Sequence, residues 1–207
     1  MLAPLTLLLA TAIAPSLEYT VSGPDGLKGS ASLVNQVQED GSKYVRLSMS
    51  LVYGNGDKAE VLQESSYDKV GRPVRKLQAV NAASTRRSTV VTFTDGAAKV
   101  VEDQGSGPKT SLVSPPEGAD TKVVTEFWFV RDKPKVGQTA TYYAFRPNQK
   151  DWVEIKARYE GIKEIVAAGK RVSANLVVMG EIKAWVDDRG DPFRLEVAGV
   201  TLERRAE

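Results

Sequence analysis

From about residue 18 onward the chain is dominated by a period of two. Val45, Leu47, Met49, Leu51 and Tyr53 alternate with Arg46, Ser48, Ser50 and Val52. Val153, Ile155, Ala157 and Tyr159 alternate with Trp152, Glu154, Lys156 and Arg158, and Val172, Ala174, Leu176 and Val178 alternate with Arg171, Ser173, Asn175 and Val177. A strand turns successive side chains to opposite faces, so each pattern sets one apolar face on a core and leaves the other largely polar. Turn residues separate these runs at short intervals: Asp40-Gly41-Ser42, Gly54-Asn55-Gly56-Asp57, Asp95-Gly96 and Ala168-Gly169-Lys170. Strand, tight turn, strand at this spacing reads as an antiparallel meander.

Helical periodicity is scarce. Residues 103–120 are rich in Gly, Ser, Pro and acid and read as a long loop. Thr121 to Val130 suits a short helix capped by Asp120, with Glu126 in its middle, but its β-branched and aromatic residues suit a strand equally. Residues 131–137 form a second turn region, which makes 103–137 one excursion from the sheet. The expected fold is all-β with minor α. A single curved antiparallel sheet of about ten strands forms a half-open barrel, with a short helix or loop across its face.

Residues 1–17 carry no charged side chain, and Leu5 to Ala14 are apolar except for Thr6 and Thr11. The run is shorter than the roughly 20 residues a membrane-spanning helix needs. It matches the apolar core of a secretory signal, with Ala10-Thr11-Ala12 and Ala12-Ile13-Ala14 as cleavage candidates, although no Lys or Arg stands near Met1. The competing reading is a buried N-terminal helix. The expectation is a signal peptide over 1–14, a single β domain over 15–207, and a periplasmic or extracellular protein with no transmembrane span in the mature chain.

Two absences narrow the chemistry. The sequence contains no Cys and no His. A chain without Cys has no disulfide, thiol nucleophile, thiolate metal site or lipid-bearing cysteine. A chain without His has no Ser-His-Asp or Cys-His machinery and no imidazole ligand. Twenty-eight Lys and Arg against 26 Asp and Glu give a formal charge of +2, with no general pull toward nucleic acid. The basic clusters Arg72/Arg75/Lys76, Arg86-Arg87 and Arg204-Arg205 have acids dispersed among them and read as solvated strand faces and ends.

Short motifs add little. Gly105 to Thr110 lacks the spacing of a phosphate loop, because Pro108 separates Gly107 from Lys109. Asp187, Asp188 and Asp191 lack the EF-hand pattern, and Arg189-Gly190-Asp191 is explained by the same turn. No G-x-S-x-G elbow is present. No catalytic residue, metal site or cofactor is expected. A carboxylate-based hydrolase is the minor alternative, since none of the 26 acids stands in a distinguishing context.

Two segments share the skeleton D-x-x-G-x-P-x-R: Asp68 to Arg75 and Asp187 to Arg194. Both read as hairpins in which Asp bonds its own backbone, Gly takes a positive φ, and Pro begins the outgoing strand. The segment from Trp185 to Gly199, together with Lys135-Val136-Gly137-Gln138, Tyr159-Glu160-Gly161 and Ala168 to Val172, resembles exported bacterial β proteins. These are relatives of the periplasmic lipoprotein carrier and its outer-membrane receptor, the LolA/LolB-like fold. The resemblance covers roughly residues 125–205 and implies a half-open barrel with a short helix across its mouth.

Phe127, Trp128 and Phe129, with Tyr142, Tyr143 and Phe145 close behind, form the densest aromatic stretch. A strand there would be apolar on both faces and would need a second cover. These rings are then either packed core or the wall of a cavity for an acyl chain. The expected function is an exported, non-enzymatic binding or carrier protein that accepts a lipid or lipoprotein acyl chain on the concave face of a curved sheet. Phe127, Trp128, Phe129, Tyr142 and Phe145 are its expected ligand-binding residues. The alternative is a cell-envelope structural or protein-interaction module. A lipid or lipoprotein, or else an envelope protein, is the expected partner, with no nucleic acid and only peripheral membrane contact.

Overall fold

The computed structural model describes residues 15–83, 85–119 and 128–206. The alternating runs become strands, joined in chain order by short turns. They are β1 (Leu17–Ser22), β2 (Lys28–Val37), β3 (Lys43–Val52), β4 (Lys58–Tyr67), β5 (Pro73–Ala82), β6 (Thr85–Thr94), β7 (Ala97–Asp103) and β8 (Pro108–Val113). The helix α1 (Trp128–Asp132) follows, then β9 (Thr139–Arg146), β10 (Asp151–Ala167), β11 (Lys170–Met179), β12 (Ile182–Val186), β13 (Pro192–Val197) and β14 (Val200–Arg204).

All fourteen strands lie in one antiparallel sheet of order β8-β7-β6-β5-β4-β3-β2-β1-β14-β13-β12-β11-β10-β9. Every chain-adjacent pair in each half is a hairpin, and β1 joins β14 in the middle, with Tyr19 opposite Arg204. Among the described residues the fold is therefore all-β with one short α-helix, as the periodicity predicts, with fourteen strands rather than about ten. The difference has a physical reason. β8 falls within the segment read as loop, because it is an edge strand with five of its six residues exposed and no alternation to betray it. At Trp128 the chain is helical.

The turns explain the shared skeleton. In 38–42, 53–57, 68–72 and 187–191 the first residue's N–H donates to the fifth residue's carbonyl. The N–H of the fourth, a glycine, donates back to the first carbonyl. That glycine needs φ between +84 and +88, at Gly41, Gly56, Gly71 and Gly190. In the two D-x-x-G-x-P-x-R copies the Asp side chain adds the same pair of bonds. The N–H groups of Val70 and Arg72 donate to Asp68, and those of Arg189 and Asp191 donate to Asp187. Each copy also carries a bulge before its proline, at Ser66/Tyr67 and at Trp185/Val186. Common turn chemistry accounts for the match.

A sheet this wide curls, and here its two ends approach without forming a ladder. Phe93 on β6, Phe145 on β9 and Trp152 on β10 meet edge to face, with ring centroids 5.2 to 6.0 Å apart. The Trp152 indole N–H donates to the Val113 carbonyl at 3.3 Å, and Lys150 pairs with Glu102. The barrel is thus shut by a seam of side chains and remains open in its hydrogen bonding.

Burial is uneven around the sheet. One core cluster sits where the two halves join: Tyr19, Val21, Ala31, Leu33 and Leu202, with Val45, Leu47, Met49 and Leu51 packed against it. A second lies along the seam, and two more lie under β9–β12. β11 buries both faces, Ala174 on one and Val177 on the other, so the largely polar face expected for Val177 is not found. By contrast, no residue of β3 or β5 is fully buried.

Candidate functional site

The aromatic set divides among different environments. Phe127 lies outside the described residues. Trp128 and Tyr142 pack together with Ala157 in one cluster, 1% and 5% exposed. Phe145 is 3% exposed and belongs instead to the seam, with Val91, Ala98 and Val100. Phe129 packs against the cluster of Val177, Ala184 and Val186 and borders a cleft of about 410 Å³ with Lys133, Asn175, Asp187 and Asp188. In that cleft Tyr159 donates to Asn175, which donates to Asp188. The structure brings Trp128 and Tyr142 together, places Phe145 elsewhere, and leaves Phe129 beside open space.

The larger cavity, about 690 Å³, lies on the opposite half of the sheet. It follows from the register. Ser48, Leu62, Ala79, Ser88 and Asp103 stand opposite one another across β3 to β7. Ser48 sits between Leu47 and Met49, which pack on the core, so its row faces away from that core. Three of its members are Ser or Ala, and a row of small side chains between rows of long ones makes a trough. Arg46 rises on one side, with Glu60, Asn81 and Arg86 on the other. Leu62 and Ala79 supply the apolar floor.

On its face the trough carries two cations, Arg46 and Arg86, and two carboxylates, Glu60 and Asp103. Glu60 accepts from the Ser50 hydroxyl at 2.7 Å, and Asp103 accepts from the Gly105 N–H at 2.8 Å. Arg46 reaches Glu64 at only 3.9 Å, and Glu64 is shared with Arg75 and with the Tyr44 hydroxyl. Burial, and then this bond to Glu64, raise the Tyr44 pKa. Arg86 and Arg87 have no carboxylate within ion-pair distance among the described residues.

Lys76, on the other face of β5, shares its register row with Ser65 and Val91. Burial pushes its ammonium down to about 8. At the join between the halves, Tyr19 donates to the Pro192 carbonyl at 2.7 Å, and its pKa is pushed up to about 12 by burial. Asn35 donates to the buried Asp191. No group of three or more metal-ligating side chains occurs among the described residues.

The sequence reading noted Arg86-Arg87 only as a solvated strand end and missed the trough. Ser48, Leu62, Ala79 and Ser88 are spread over forty positions of chain, and only the hairpin register aligns them.

Comparison with protein-family models finds no match, and comparison with curated proteins finds none. Among solved structures, the chain is similar to a beta-barrel-like protein of the domain of unknown function DUF1849 from Brucella abortus. The TM-score is 0.51 at 10% sequence identity, and the match covers 94% of this chain and 97% of that one. The likeness shows a barrel-like fold along nearly the whole chain.

Proposed function

We propose that this chain is an exported, non-enzymatic binding protein that accepts the hydrophobic part of a lipid or lipoprotein on the open half of its curved sheet. One observation carries the reading: the trough of about 690 Å³ lies across β3 to β7, of which β3 and β5 have no fully buried side chain, while the aromatic half is packed by its own side chains. Its volume falls within the roughly 300–1,000 Å³ of ligand sites. The absence of Cys and His supports binding over catalysis, and the apolar run from Leu5 to Ala14 supports export. Relative to the aromatic residues singled out from sequence, the seat moves to Leu62 and Ala79, and Phe129 stays beside the smaller cleft. Native mass spectrometry of protein purified from an envelope extract tests this. Co-purified lipid adducts are expected. No adduct, together with no binding of a fluorescent fatty acid, would sink it.

A second reading, a protein-interaction module of the envelope, is favoured by β8. Among the described residues this strand pairs only with β7, and Leu112 on it is 70% exposed. An open edge can accept a strand from a partner. Cross-linking in cells from a photoreactive residue at position 112 should trap a stable protein under this reading and none under the first.

A further inference from the structure

We propose that the cleft between α1 and the turn at 187–191 is a second binding site, separate from the trough, for a neutral sugar ring. A pyranose would lie against Phe129 and Tyr159 and exchange hydroxyl hydrogen bonds with Asn175 and Asp188. The inference goes beyond the lipid reading above and does not depend on it.

The cleft follows from the way β10 and β11 meet. Tyr159 stands opposite Val177, and Asn175, two residues along β11, shares the face of Val177. A bulge interrupts the ladder at Tyr159/Gly161, and there the Tyr159 hydroxyl donates to the Asn175 carbonyl oxygen at 2.7 Å. α1 meets the turn at Gly190, where a Cβ would stand 3.1 Å from Val130 Cγ2 and 3.4 Å from Phe129 Cζ. The space left among these elements is about 410 Å³, within the roughly 300–1,000 Å³ of ligand sites.

The hydrogen-bonding pattern points to hydroxyls. A carboxylate only accepts, so the bond from Asn175 Nδ2 to Asp188 Oδ1 at 3.1 Å fixes which way the amide faces. The second N–H of Asn175, Asp188 Oδ2 and the Tyr159 lone pairs have no hydrogen-bond partner among the described residues. A donor therefore stands beside two acceptors. A hydroxyl both donates and accepts, so neighbouring hydroxyls of one ring can accept from Asn175 while donating to Asp188. The C–H face of a pyranose is apolar, and its hydrogens suit the electron-rich face of an aromatic ring. An anion would meet Asp187 and Asp188, and a cation would meet Lys133 and leave the Asn175 N–H without an acceptor. A purely apolar ligand would strip water from Asn175 and Asp188 without replacing its hydrogen bonds.

The test titrates the full chain with the methyl glycosides of glucose, galactose, mannose and N-acetylglucosamine, read by saturation-transfer NMR. It then compares any glycoside that binds with its uronic acid and its amino-sugar counterpart. The variants are Asp188→Ala, at an exposed position, and Phe129→Leu, which keeps apolar bulk without the ring; circular dichroism checks their folding. At least one neutral glycoside should bind, and tighter than either charged counterpart. Asp188→Ala should weaken it about three- to tenfold, the scale of one net hydrogen bond, and Phe129→Leu by a similar factor. Binding of none of the glycosides, or unchanged affinity in both folded variants, would overturn the proposal. A uronic acid or amino sugar that binds as tightly as the neutral ring would also overturn it, by showing that charge is recognised. Displacement of a bound fluorescent fatty acid by the glycoside would show one shared site, against the proposal. If the glycosides fail while the fatty acid binds, the sugar site falls and the lipid reading stands.

Discussion

The wall formed by β3 to β5 and the region around β9 to β13 belong to one continuous sheet, yet they solve burial differently. β3 and β5 are ten residues long and have no fully buried side chain. β11, equally long, buries Ala174 on one face and Val177 on the other. α1 delivers Trp128 onto Tyr142 and Ala157, and the turn after β12 contributes the buried Asp191. A sheet face must be covered or stay wet. The α1 side is covered by the protein itself. The β3–β5 side keeps capacity to cover something else, and we propose the binding site there for that reason.

The largest expected effect separates these regions by truncation. Trp128→Ala removes a side chain that is 1% exposed and should cost about 3–5 kcal/mol. Leu62→Ala, in the half-buried wall, should cost less than about 1.5 kcal/mol. Urea unfolding of both variants measures the contrast, and comparable losses would break it.

Next comes pH. Lys76 in the wall is neutral in the folded chain above its depressed pKa of about 8 and stays protonated when unfolded up to 10.5. The unfolded state binds more protons in that window, so stability should rise with pH there, by roughly 1–2 kcal/mol. Below pH 8 both states are protonated and the burial penalty is constant. Tyr19 acts in the opposite sense. It keeps its proton up to about 12 when folded but loses it above 10 when unfolded, so stability falls above pH 10. Urea midpoints should therefore climb from pH 8 to 10 and then turn over. Lys76→Met should flatten the climb, and an unchanged slope in that variant would show that the wall does not bury the ammonium.

The twin turns give the finest comparison, because each region holds one copy. Asp68→Ala loses the amide bonds from Val70 and Arg72 and an exposed ion pair with the Arg72 guanidinium at 2.6 Å, at a cost of about 0.5–1 kcal/mol. Asp187→Ala loses the matching bonds but also loosens Asp191, which accepts from Asn35, and Gly190, which packs under Val130. It should cost about 1–2 kcal/mol. Equal losses in thermal or urea unfolding would mean that the turn alone, and not its surroundings, sets the cost.

These contrasts mark how far the sequence could be read. Strands with one face on the core, such as Val45 to Leu51, were legible because alternation is a local signal. So were the hairpins at Asp95-Gly96 and Ala168-Gly169, where both residues adopt the positive φ that a two-residue turn needs. β8 was not legible, because an exposed edge leaves no periodic mark. The fate of Trp128, Phe129, Tyr142 and Phe145 was half legible. Their apolar character is local, but whether they line a space or fill one depends on what the curled sheet brings against them. The trough was invisible for the same reason: Ser48 and Ser88 become neighbours in one row only through the registers of three hairpins.

Hydrogen–deuterium exchange with and without a pyrene-labelled fatty acid tests the central claim most directly. Ligand-induced protection should be confined to peptides from β3 to β7, residues 43–103. Protection centred on α1 and β9, around Phe129, Tyr142 and Phe145, would contradict the account by showing that the aromatic half opens to take the ligand.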